Sequence, residues 1–126
     1  MAKPQQLRAA EFRFDSTLFN DSEVRDYFIN DSCFGDDLGK WLRPQLEARG
    51  HTVVGPDQED WGWYLDVNRA SFKQCLRIGY GGEWLMFLDS RRLFRKRIDP
   101  QLYADIREIL TTTPEISGVH FSAEEV

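Results

Sequence analysis

Residues 59 to 67 read Glu59-Asp60-Trp61-Gly62-Trp63-Tyr64-Leu65-Asp66-Val67, and the fold turns on how this stretch is read. As a strand, its side chains point alternately to opposite faces. Trp61, Trp63, Leu65 and Val67 then share one strongly apolar face, with Gly62, Tyr64 and Asp66 on the other. Such a face must be covered. Glu59 and Asp60 directly precede the first tryptophan, and a charge beside buried aromatics needs water, a cation or backbone donors.

Downstream, Asn68-Arg69-Ala70-Ser71 reads as a hairpin loop leading into 72–80, where Phe72, Leu76, Ile78 and Tyr80 alternate with Lys73, Arg77 and Gly79. Gly81-Gly82 turns the chain into Trp84-Leu85-Met86-Phe87-Leu88. That run is apolar on both faces, which predicts the most buried, central strand of the sheet. Three strands joined by short turns form an antiparallel meander. Asp99-Pro100 supplies a capping oxygen and a proline pre-set for a first helical position. Leu102, Ile106, Ile109 and Leu110 then make one apolar stripe that runs down at Thr111-Thr112-Thr113-Pro114. A last strand over 118–122 and a loose acidic tail are expected after it.

Upstream, Thr52-Val53-Val54-Gly55 is short and β-branched, and Pro56-Asp57 has turn chemistry. A helix is expected from about Gly35 to Arg49, capped by Ser32 or Asp31, with Asp36 and Asp37 at the positive end of its dipole. Leu38, Trp41, Leu42 and Leu46 line its apolar side, Pro44 predicts a kink or restart, and Gly50 a stop. Phe12 and Phe14 alternate with Glu11 and Arg13 as a first strand, and 15–31 is a long polar loop. Residues 1–8 read as a structureless lead-in to one domain over 9–126. The sum is an α+β fold: one antiparallel sheet with two helices packed on the tryptophan face.

A chain of 126 residues suits one core. Its net charge of −5 disfavours a nucleic-acid partner and fits a basic protein partner. No apolar run approaches the roughly 20 residues of a membrane span, and the start lacks the core of a secretory signal, so no membrane partner and a cytoplasmic location are expected. Cys33 and Cys75 read as thiols.

The histidines, His51 and His120, belong to no Cys/His cluster, so no metal and no cofactor are expected. His51, following a helix-ending glycine, reads as a surface residue; His120 reads as the solvent side of a strand. Cys33, at a helix start, or Cys75 is a candidate nucleophile if a histidine serves as base, set against two small buried thiols. Glu59, Asp60 and Asp66 beside an aromatic wall are candidates for acid and base. Pairing with Arg77 or Lys73 on the next strand is the plainer use of the same acids. Arg91, Arg92, Arg95, Lys96 and Arg97 crowd one segment; a phosphate-binding patch is one reading of it, and the plainer one docks Leu93 and Phe94 on the core while the cations neutralise carboxylates. Asp15, Asp21, Glu23, Asp26, Asp31, Asp36 and Asp37 form an acidic counterpart.

The run Cys33-Phe34-Gly35-Asp36-Asp37-Leu38, with Trp41-Leu42, Gly50-His51, Pro56 and Glu59-Asp60-Trp61-Gly62-Trp63, resembles a family of small uncharacterised bacterial proteins. That resemblance implies no catalytic activity and no functional residue. Size and acidity are also similar to those of immunity proteins that block bacterial toxins. The expected function is therefore a non-enzymatic binding module that uses Asp36, Asp37, Glu59, Asp60, Trp61 and Trp63 to cover a basic partner such as a toxin. The competing reading is a small enzyme or ligand-binding domain with carboxylates beside an aromatic wall.

Overall fold

A computed structural model describes residues 6–126. Its elements are β1 (Leu7–Ser16), α1 (Asp36–Glu47), β2 (Thr52–Glu59), β3 (Gly62–Arg69), β4 (Phe72–Tyr80), β5 (Trp84–Ser90), α2 (Pro100–Thr112) and β6 (Ile116–Glu125). The strands make one antiparallel sheet in the order β2-β3-β4-β5-β1-β6. The meander β3 to β5 follows the short turns seen in the sequence, and β2 extends it by one strand through a turn at 60–61. Strand β1 then closes on β5, with Phe12 opposite Met86, and β6 adds outside it, with Phe121 opposite Phe12.

Both helices cover one face of this α+β sheet. Leu38, Leu42 and Leu46 of α1 and Leu102, Ile106, Ile109 and Leu110 of α2 join Phe12, Phe14, Trp63, Leu65, Val67, Leu76, Ile78, Trp84, Met86 and Leu88 in one buried cluster. At about 1.5–3 kcal/mol for each large apolar side chain removed from water, this cluster is the main source of stability. Helix α2 is capped as its sequence implies: Asp99 accepts the Gln101 N–H at 2.9 Å, with Pro100 in the first turn. Helix α1 departs from expectation at its start, where Gly35 holds the N-cap position and no side chain caps it. It runs through Pro44 without a restart, and packing of its buried leucines against the sheet offsets the lost hydrogen bond.

Several expectations are corrected. Trp61 does not share the face of Trp63. Glu59 pairs with Gly62, so Asp60 and Trp61 form the hairpin turn and the alternation starts one residue later. Trp61 is 52% exposed, resting against Tyr64 and over Arg77 at 5.7 and 5.4 Å, whereas Trp63 is 5% exposed. Strand β5 is central but covered on one side only, because among the described residues no helix lies over the opposite face, where Leu85 and Phe87 are exposed. The acidic end of the chain is not loose, since β6 stays paired with β1 as far as Glu125 opposite Leu7. Of the expected lead-in, residues 1–5 lie outside the described residues, while Leu7 and Arg8 belong to β1 and Leu7 is buried. Strand β2 extends past the expected turn at Pro56, accommodated by a register shift between Val54 and Asp57.

Candidate functional site

The loop 17–35 lies across the end of the β2–β3 hairpin. Its anchors are side chains that satisfy backbone groups, as a loop without regular structure requires. Gln58, buried on β2, accepts the Ile29 N–H and donates to the Asn30 carbonyl at 2.9 Å. Asn30 in turn donates to the Asp60 carbonyl at 2.6 Å, and the Trp63 indole N–H donates to the Cys33 carbonyl at 3.0 Å. The rings of Tyr27 and Phe28 meet Trp63 edge-on at 6.1 and 5.4 Å.

Beneath that loop sits an ionic knot. Asp36 is fully buried and accepts from the Arg25 guanidinium at 2.6 Å and from the Tyr27 hydroxyl, with the Lys40 ammonium 3.9 Å away. Asp37 takes two further contacts from Arg25, at 2.5 and 3.1 Å, and accepts the Asn20 N–H at 3.2 Å. The guanidinium holds the Asp37 carboxyl below its ordinary range, and the Asp37, Tyr27 and Asp36 contacts push the Arg25 pKa up. One Asp36 oxygen, Oδ1, is buried without a hydrogen-bond partner.

The six residues singled out from the sequence therefore divide. Asp36, Asp37 and Trp63 fasten the loop to the domain. Glu59, Asp60 and Trp61 are exposed at the hairpin tip. Because Asn30 ties the loop to that tip, the exposed rim continues through Asp31, Ile29 (68% exposed), Tyr27, Asp26 and Val24. No ion pair engages Asp26, Asp31, Asp57, Glu59 or Asp60 among the described residues. Of the cations expected to pair with Glu59 and Asp60, Arg77 reaches Asp89 instead, at 3.6 Å. Asp66 is held by Arg91 at 3.3 Å.

His51 is not at the surface. Its side chain is fully buried, and Nε2 lies 2.7 Å from Asp105 Oδ2 on α2; Arg49 and Gln101 also reach Asp105, at 3.5 and 2.8 Å. The pair ties the chain after α1 to the second helix. Its signal in the sequence is Asp105 itself, which sits three residues after Leu102 on the apolar stripe of α2 and must find a partner there. The Cys33 sulfur lies 3.7 Å from the Asp60 carbonyl at the hairpin tip, and no hydrogen bond joins it to His51 or His120 among the described residues. Both thiols are half-buried rather than buried. Burial pushes the Cys75 thiol up, away from the ionised form a nucleophile needs. Among the described residues, no group of three or more His, Cys, Asp or Glu side chains is placed to hold a metal ion.

No protein-family model, curated protein or solved structure matches this chain.

Proposed function

We propose that the protein is a non-enzymatic binding module whose acidic, apolar rim covers a basic protein partner. The observation that carries this reading is the juxtaposition of Trp61, Ile29, Tyr27 and Val24, each roughly half or more exposed, with carboxylates that no cation among the described residues pairs with. Exposed aromatic and aliphatic anchors supply the desolvated centre of an interface, and like charges around them steer an oppositely charged partner. Glu59 and Asp60 suit that use better than acid–base chemistry. Both are exposed, and it is apolar burial that raises a carboxyl toward a catalytic range. A toxin bearing a basic surface is the partner class suggested by the chain's size and charge.

The test is capture by the immobilised full chain from a bacterial lysate at low and high salt, repeated with Trp61→Ala and with Glu59→Gln/Asp60→Asn. A basic protein retained at low salt, released at high salt and lost with either variant supports the reading. Capture indifferent to salt and to both variants removes it.

A further inference from the structure

The segment Arg91-Arg92-Leu93-Phe94-Arg95-Lys96-Arg97 joins β5 to α2 and is pinned at both ends. The Arg91 N–H donates to the Lys73 carbonyl and the Ile98 N–H to the Leu7 carbonyl, each at 2.9 Å, and the Arg92 guanidinium donates to the Ser71 carbonyl at 3.0 Å. Between these pins the tip projects. Leu93 and Phe94, expected to dock on the core, are 85% and 81% exposed, more than any other large apolar side chain described. The loop is too tightly tethered to fold back, and Arg95, at φ 51°, turns it sharply at its far side.

Charge singles out the same place. The segment carries five cations and no anion in a chain of net charge −5, so the remainder stands at −5 − 5 = −10. The nearby acids Asp66 and Asp99 are held by Arg91 and Arg69 at 3.3 and 2.6 Å, and no ion pair engages Arg95, Lys96 or Arg97 among the described residues. Arg92, Arg95 and Arg97 line a cleft of about 580 Å³ with Ser71 and Phe72.

We propose that this loop docks on an anionic lipid surface, with Leu93 and Phe94 in the boundary between headgroups and acyl chains and the surrounding cations on lipid phosphates. Interfacial binding needs this combination, an apolar tip that is costly to leave in water and a cationic collar beside it. A nucleic acid would use the cations and stack on Phe94 but gives Leu93 no role. A second copy of the chain, offering its acidic rim to this loop, is the remaining competing occupant, and it would show as self-association in solution. Surface attachment requires no spanning segment, and among the described residues no helix is long and apolar enough to cross a membrane.

Topology sets the acidic rim at a distance from the basic loop. The basic loop lies beside the β3–β4 turn and the acidic rim at the β2–β3 turn, at opposite ends of the eight-residue strand β3. At about 3.3 Å per residue the two ends are roughly 25 Å apart. That is more than two Debye lengths of about 8 Å at physiological salt, so the rim's repulsion is screened at the membrane. Glu124 and Glu125 lie nearer, on β6 two strands from β5. The acidic rim would point away from the lipid, free for a protein partner, although lipid docking does not depend on that partner.

Co-sedimentation of the full chain with vesicles tests the proposal, comparing pure phosphatidylcholine with a mixture containing phosphatidylglycerol. The wild type is expected to sediment with the anionic vesicles and not with the neutral ones. Leu93→Ser/Phe94→Ser is expected to weaken partitioning at least tenfold. Removing two cations by Arg95→Asn/Lys96→Gln is expected to weaken it about 25-fold, since each cation near an anionic surface contributes about fivefold. Among the described residues no hydrogen bond or ion pair engages these four side chains, so circular dichroism of the variants should match the wild type. Equal binding to neutral vesicles, no binding to anionic ones, or unchanged partitioning of the Leu93/Phe94 variant overturns the proposal. So does Phe94-dependent binding of a single-stranded oligonucleotide, or Phe94-dependent self-association on size exclusion, with no vesicle binding.

Discussion

Replacing Arg25 with alanine tests whether the acidic start of α1 is a fastener rather than a docking surface. Asp36 is fully buried and Arg25 supplies its one close cation, while Lys40 stands 3.9 Å off. Stranding a buried carboxylate costs about 3–5 kcal/mol, and Arg25 is itself 29% exposed, which places the expected loss near the lower end, about 3 kcal/mol. Against a total of about 5–15 kcal/mol this is large. In urea, with a slope of about 2 kcal/mol per molar, the midpoint should fall by about 1.5 M. The double variant Arg25→Ala/Asp36→Asn should recover at least about 1 kcal/mol, because a neutral amide no longer leaves a charge in the interior. The linkage to pH has a definite sign. Asp37 is depressed in the folded state by its bonds to Arg25, so its contribution is present above the unfolded carboxyl pKa, near 3.8, and is lost as pH falls through the lower folded value. Acid titration of stability should therefore be shallower in Arg25→Ala below pH of about 4. A loss under about 1 kcal/mol, or a double variant no more stable than the single, would refute the fastening role.

Three other outcomes follow from the same contacts. His51→Leu removes one of three partners of buried Asp105, leaving Arg49 at 3.5 Å and Gln101, and should cost about 1–3 kcal/mol in urea unfolding; a cost within about 0.5 kcal/mol would contradict the pairing. Gly62→Ala places a Cβ 2.9 Å from the Ile78 carbonyl oxygen at φ 150°, and should cost about 2–3 kcal/mol, read as a lowered melting temperature. Cys75 should react with a disulfide reagent more slowly than a free thiol and gain rate as pH rises, because burial holds it protonated; full reactivity in the folded protein at neutral pH would count against this.

The local patterns were legible where one residue's neighbours along the chain decide its role. Phe12 and Phe14, the run Trp63-Leu65-Val67, the stripe of α2 and its Asp99 cap all stand as their spacing implies, because a period of two or of 3.6 is a property of the backbone. The α+β architecture and the placement of both helices on the Trp63 face follow from those periods.

What tertiary structure decided are the contacts between residues far apart in sequence. Trp61 fits the alternation, yet the pairing of Glu59 with Gly62 makes it part of a turn and moves it to the other face. Asp36 and Asp37 look like solvated acids at a helix start until Arg25, more than ten positions earlier, closes over them. His51 meets Asp105 across 54 positions. Leu93 and Phe94 carry the composition of a core but are held outside it by pins at Lys73, Ser71 and Leu7. Sequence alone determined the cores of the strands and helices, since that preference is local, while their ends at Leu7, Glu59 and Glu125 were set by pairing with neighbouring strands. Which charges are consumed inside and which apolar groups are left outside depends on how those segments meet, and only the packed chain decides that.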